Sequence, residues 1–265
     1  MTGMLPVLRP DWPDLPDSVA ALSTLRAGGV SPVPYHALTA GGAVDGGLNL
    51  GVHVGDQIDY VRQNRHLLGG VLPGRPAWLT QVHGTAVIDA GAARHGVPEA
   101  DASFATARGA VCVIMTADCL PVLFSDVDGN VVAAAHAGWR GLANGVLQRT
   151  VAAMRGAGAG EIVAWLGPAI GPQQFEVGAD VLAAFQQALP GPLATTQVAA
   201  AFVPLADRPG KYLADIYALA RLMLLHDGIS RVAGGDYCTV SEPGRFYSYR
   251  RDGITGRQAS LIWRK

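Results

Sequence analysis

Two kinds of apolar run divide this chain. Short, nearly continuous runs of β-branched or small residues occur at 111–116, 122–124, 131–136, 162–166 and 258–263. Runs of this length and density predict strands buried on both faces. Elsewhere apolar residues recur every three or four positions, the period of an amphipathic helix. This predicts helices from Asp56 onward, over 143–155, over 179–189 and over 212–226. Asp56 is read as the first helix's N-cap, with Ile58, Val61, Leu68 and Leu72 as its apolar stripe. Arg65 falls on that stripe, either as a stem running past the core edge or as an anion contact reaching into a cleft. Glycines at 156, 158 and 228 stop the later helices.

Three stretches read less directly. Residues 78–83 alternate, which predicts a strand with Leu79, Gln81 and His83 on one face. Residues 246–253 read as a strand entering a turn. Residues 193–210 carry no period and read as an exposed segment. The sum is an α+β domain with mixed sheets and four or five helices. A Pro-rich lead-in over 1–20 precedes a single domain over 21–265.

Composition narrows the partners. Of 265 residues 49% are hydrophobic and 15% charged, which suits a globular chain, and the net charge of -1 provides no field for nucleic acid or an anionic membrane. No basic and apolar leader opens the chain, and no run is long enough to span a membrane. Three cysteines, Cys112, Cys119 and Cys238, form too sparse and odd a set for a disulfide framework and suit a reducing cytoplasm.

The candidate chemistry sits where apolar runs end. The run 131–136 closes on His136, followed by a Gly-bracketed loop. His83 closes the run 78–83 before Gly84, and Cys119 stands between the runs at 111–116 and 122–124. Three such ligands with one position left open is the pattern of a catalytic zinc. Cys119 reads equally as a small buried hydrophobe, and the histidines as polar caps on strand ends. His53, in Gly51-Val52-His53-Val54-Gly55, is the one other histidine placed near a site. His36, His66, His95 and His226 read as surface residues.

These segments together resemble a known family. Gln81-Val82-His83-Gly84, Ala117-Asp118-Cys119-Leu120-Pro121 and His136-Ala137-Gly138-Trp139-Arg140-Gly141 are similar to motifs of the laccase-domain family. Its members are also called purine nucleoside phosphorylases of the laccase-domain type and peptidoglycan editing factors. Arg26-Ala27-Gly28-Gly29, Leu48-Asn49-Leu50-Gly51 and Asn64-Arg65 match as well, and the likeness runs over about residues 24–263. The double glycines within 38–47 look like an insertion. The resemblance implies zinc held by His83, Cys119 and His136, in a layered α/β/β/α sandwich.

The name laccase fits the residues poorly. A four-copper oxidase needs more histidines than the seven present. Two imidazoles and a thiolate suit one zinc ion, and would also take copper. The resemblance implies phosphorolysis of adenosine, inosine and 5′-methylthioadenosine, and deamination of adenosine. On that reading His83, Cys119, His136 and Asp118 form the catalytic set, with Cys119 chiefly a ligand. Arg65 and Arg140 contact phosphate, while Asn49 and Gln81 contact the nucleoside. Asp118 and Asp101 read equally as turn caps. Two alternatives stay open: a metal-dependent amidase removing L-Ser from UDP-muramoyl precursors, and a zinc-stabilised binding protein without turnover. The expected partners are a nucleoside and phosphate, with the chain a monomer or homodimer.

Overall fold

The computed structural model describes residues 5–38, 44–92 and 96–265. Gly41-Gly42, in the expected insertion, and His95 lie outside them. Two sheets stack face to face. One has five strands in the order Val7–Leu8, Val19–Thr24, Gln258–Arg264, Val111–Thr116, Pro76–Ala77. The other has six, in the order Val232–Gly234, Ile162–Leu166, Leu120–Asp126, Val132–Ala137, Ala102–Ala105, Val87–Asp89.

Strand parity explains the layers. Along a strand, successive side chains face opposite sides. Cys112 and Ile114 therefore meet Leu123, Val132, Ala134 and Trp165 in the space between the sheets. Val111, Val113 and Met115 point the other way, onto Leu68 of helix Ile58–Gly69. Leu120, Val122 and Phe124 point away from the first sheet and pack under helices Val146–Gly156, Ala179–Ala188 and Ile216–His226. The result is the expected α/β/β/α sandwich. Both faces of each sheet are buried, which is why the strands read as unbroken apolar runs. Trp12, from the Pro-rich lead-in, is buried in the layer between the sheets.

Several local expectations are corrected. The first helix begins at Ile58, and Asp56 is not its cap: one carboxylate oxygen accepts from the Gln57 N–H and the other from Ser31 and Asn49. Ile58 is exposed, and the helix buries Asn64 instead. Residues 193–210 hold a helix, Pro192–Ala200, and a strand, Phe202–Pro204. Among its described side chains that helix buries Val198 alone, so no stripe marks it. Leu213 belongs to the strand Lys211–Ala214, and the following helix starts at Ile216 because Asp215 caps the N–H groups of Tyr217 and Ala218. The strand expected to open the stretch 246–253 is absent. Tyr247 is buried with its hydroxyl on the Tyr35 carbonyl, and Ser248 caps the helical turn Tyr249–Asp252.

Candidate metal centre and cavity

Strand register brings two ligands together. Pro121 pairs with His136 across the antiparallel strands Leu120–Asp126 and Val132–Ala137. Cys119 lies two residues before Pro121, on the link from one sheet to the other. His136 shares the parity of Val132 and Ala134, so its ring enters the end of the layer between the sheets.

His83 arrives differently. The alternation at 78–83 yields no regular strand beyond Pro76–Ala77. Gln81 instead pairs through its side chain: its amide donates to the Met115 carbonyl at 2.8 Å and accepts from the Met115 N–H at 2.8 Å. The primary amide thus replaces a backbone ladder at the sheet edge, and the chain can turn. His83 sits at φ 61°, and Asp118, next to Cys119, at φ 93°. Among the described residues these are the only non-glycines with positive φ. Such conformations cost of order 1–3 kcal/mol and persist only where surroundings impose them.

Asp101 imposes the first. It directly precedes the strand Ala102–Ala105, which pairs with Val132–Ala137, and it is fully buried. Its carboxylate accepts from the N–H groups of Val82, His83 and Gly84 at 3.2, 2.9 and 2.6 Å. The same carboxylate lies 2.8 Å from His136 Nδ1, which leaves Nε2 to face the site. One acid therefore shapes the His83 loop and orients the His136 ring, the second contact that ligating histidines usually have.

The donor set converges. The ligand atoms of His83, Cys119 and His136 lie within 4.8 Å of one another. Cys119 Sγ is 3.7 Å from His83 Nε2, and the two imidazole rings meet edge-on at 4.7 Å. Gly138 keeps the space open: a Cβ there would stand 2.7 Å from His83 Cδ2 and 3.2 Å from Cys119 Sγ. Burial alone would raise the Cys119 thiol, but hydrogen bonds with His136 and His83 bring it down to about 6. Burial would lower His136, and its bonds to Asp101 and Cys119 outweigh that and carry it up to about 9. A thiolate and two imidazoles fit one zinc or copper ion, whose binding displaces the imidazolium proton.

The trio lines a cavity of about 580 Å³, within the range of small-molecule sites. Arg65 and Arg257 line it with His53, while Val52, Val97 and Tyr249 contribute apolar surface. Arg65 lies over the Trp78 ring at 3.8 Å and donates Nε to the Leu50 carbonyl. Burial, then the charge of Arg75, holds its guanidinium down at about 10. Neither Arg65 nor Arg257 makes an ion pair with a carboxylate among the described residues.

The other expected site residues divide. Gln81 lines the cavity, though both ends of its amide are engaged by Met115. Asn49 does not line it. It is fully buried and binds Asp56, the Gly51 N–H and carbonyl, and the Arg257 N–H. It shapes the loop beneath Arg257. Arg140 is exposed, stacks on Trp139 at 4.5 Å, and does not line the cavity. Asp118 accepts from the Thr239 hydroxyl and the Arg250 N–H, both at 2.6 Å, and so anchors the Cys119 turn. His53 does line the cavity. Arg257 was missed, although it stands just before the apolar run at 258–263, the kind of position that singled out the ligands.

Residues 20–265 match the family described as multi-copper polyphenol oxidoreductase laccase. The chain belongs to that family. It is 50% identical over 97% of both chains to a protein of Pseudomonas aeruginosa named purine nucleoside phosphorylase. A purine nucleoside phosphorylase of Escherichia coli is 48% identical over 98% of this chain and 99% of its own. A crystal structure of a Neisseria meningitidis protein superposes with a TM-score of 0.85, at 48% identity over 98% and 99% of the two chains. The YlmD protein of Geobacillus stearothermophilus gives 0.82 at 31% identity, over 98% and 96%. This member of the laccase family has one group of three or more metal-capable His, Cys, Asp or Glu side chains among its described residues. Those three side chains could hold one metal ion.

Proposed function

We propose that the chain is a zinc-dependent purine nucleoside phosphorylase acting on adenosine, inosine and 5′-methylthioadenosine, with adenosine deaminase activity. The observation that carries this reading is the joining of the His83–Cys119–His136 trio in one cavity to the guanidinium groups of Arg65 and Arg257, neither in an ion pair with a carboxylate among the described residues. Phosphorolysis needs cations for phosphate, and Arg65 and Arg257 supply them on the cavity wall. A phosphate oxygen bonds to C1′ of the ribose and the C1′–N9 bond breaks. The bonding pair leaves with the base, which takes the proton that phosphate gives up, so that base and ribose 1-phosphate result. Deamination exchanges the 6-amino group of adenosine for oxygen from water, releasing ammonia. Bound at the trio, zinc supplies Lewis acidity and eases deprotonation of water. Asp101 holds His136 so that only Nε2 faces the ligand site. Asp118 serves by fixing the turn that presents Cys119. The names of the relatives support the phosphorylase reading. Three unpaired cysteines agree with a reducing cytoplasm.

The test is incubation of purified protein with inosine and phosphate. Hypoxanthine and ribose 1-phosphate are the expected products. Their absence in metal-replete protein sinks the reading. Release of L-Ser from a UDP-muramoyl-L-Ser substrate, faster than nucleoside turnover, puts the amidase in its place.

A further inference from the structure

The cavity beside the metal centre has one more nitrogen-bearing group on its wall. His53 lines it together with Arg65 and Arg257. The imidazole is exposed and makes no hydrogen bond or ion pair among the described residues.

The loop that carries His53 is built onto both arginines. Arg65 Nε donates to the Leu50 carbonyl, and the Leu50 N–H donates to the Arg257 carbonyl. Asn49 Oδ1 accepts from the N–H groups of Gly51 and Arg257. A Cβ at Gly51 would stand 2.8 Å from Arg257 Cγ, so the missing side chain lets the arginine stem lie against the loop. On the other side of His53 the Tyr35 hydroxyl donates to the Val54 carbonyl at 2.6 Å. The backbone is pinned before and after His53, and the ring is the part left free.

The local charge is one-sided. Arg257 gives Nη1 to the carbonyls of Thr255 and Gly256, and Arg65 reaches the Leu50 carbonyl and the Met115 sulfur. None of these partners carries a charge. Arg75 adds a further positive charge beside Arg65. The loop's own carboxylate, Asp56, is taken up by Ser31, Asn49 and the Gln57 N–H. Tyr249 and the metal trio also line the cavity, and a bound ion keeps the trio deprotonated. The cavity wall, then the charges of Arg257 and Arg65, hold the His53 imidazole below its usual range, so it is neutral at neutral pH. A doubly charged anion seated between the arginines reverses the field at His53 and favours imidazolium.

We propose that His53 is the proton-linked third member of an oxyanion seat with Arg65 and Arg257, becoming imidazolium when a dianion such as phosphate binds. That the physiological dianion is phosphate rests on the phosphorylase reading. When phosphate arrives as dihydrogen phosphate, one O–H proton passes to the imidazole nitrogen. Hydrogen phosphate, the better nucleophile, is left beside an imidazolium. A monoanion supplies half the field, so the seat favours dianions.

The test is calorimetric titration of zinc-loaded full-length protein with sulfate, which stays doubly charged where phosphate itself titrates. Buffers of different ionisation enthalpy report the protons taken up. The wild type should take up part of a proton per sulfate and bind about fivefold more tightly at pH 6 than at pH 8, as a rise of one unit in the His53 value requires. His53→Gln should bind without uptake, at an affinity that does not change with pH. His53→Lys, charged throughout, should bind tightly at both pH values, again without uptake. Arg65→Met should weaken binding at every pH. Zinc content and melting temperature identify a variant that fails to fold; either His53 variant alone decides, since each must lose the uptake. Uptake retained in a folded His53 variant, or wild-type affinity independent of pH, overturns the assignment, and inosine cleavage by the same wild-type protein leaves the phosphorylase standing. Uptake that depends on His53, without inosine cleavage, keeps the seat and overturns the phosphorylase.

Discussion

His136 and His83 face each other across one site but are placed by opposite means. His136 sits within a regular strand, and its position follows from register: Pro121 opposite it, Ala135 paired with Ala102 beside it. His83 sits in an irregular loop at positive φ, held by three N–H bonds to one carboxylate. A strand places a ligand through many shared hydrogen bonds, so no single one decides it. A loop places a ligand through a few, so each one matters. Asp101 joins the two halves, since its carboxylate holds the His83 loop and the His136 ring together.

The comparison breaks most readily at Asp101. Asp101→Asn sets an amide against three N–H donors and removes the charge beside His136. Loss of one member of a buried charged network costs of order 3 kcal/mol, and zinc affinity should fall on the order of 10–100-fold. Urea unfolding and competition with a chelator measure the two effects. Wild-type affinity in this variant contradicts the dependence of the His83 loop on Asp101.

Gly138→Ala separates the site from the fold. The added methyl presses on His83 and Cys119, which hold its three nearest atoms. Overpacking of this kind costs about 1–3 kcal/mol, and the cost should fall on metal binding, with the unfolding midpoint of metal-free protein nearly unchanged. Equal losses in both would show that the glycine serves the fold.

Gln81→Leu tests the edge contact that frees the loop. Losing two hydrogen bonds to Met115 should cost about 1–3 kcal/mol, because the Met115 N–H and carbonyl lose their partners. Zinc affinity should fall less than in Asp101→Asn, since Asp101 still holds the loop.

The smallest effect concerns pH. Burial alone would raise the Asp101 carboxyl, but hydrogen bonds from His136 and from the Gly84 and Val82 N–H groups outweigh it and hold the group below the usual range. A depressed folded value means that its stabilisation is present above the unfolded pKa of about 3.9 and is lost as pH falls through the folded value. Metal-free wild-type protein should therefore lose stability in acid faster than Asp101→Asn, as read from urea midpoints. Parallel acid limbs would contradict the role of that carboxylate.

The same contrast explains what the sequence disclosed. Val132–Ala137 and Val111–Thr116 were legible because burial on both faces leaves an unbroken apolar run. His136 and Cys119 were legible as polar residues at the ends of such runs. Asp101 was not, because an acid before a short strand looks like a turn cap until its four partners are seen. The side-chain chemistry of Asn49 and Arg140 suits a substrate contact. Chemistry does not reveal that Asn49 is buried and bonded to Gly51 and Asp56, nor that Arg140 is exposed over the Trp139 ring. Residues 246–253 read as a strand entering a turn, but Tyr247 is buried with its hydroxyl on the Tyr35 carbonyl, a tertiary contact with no local signal.

The central claim is a single ion held by one loop histidine, one strand histidine and the cysteine between the sheets. Metal analysis of protein expressed without added copper tests it most directly. About one zinc per chain is expected, lost in Cys119→Ser and His136→Ala variants that remain folded. Several coppers per chain, or zinc retained in both variants, would contradict it.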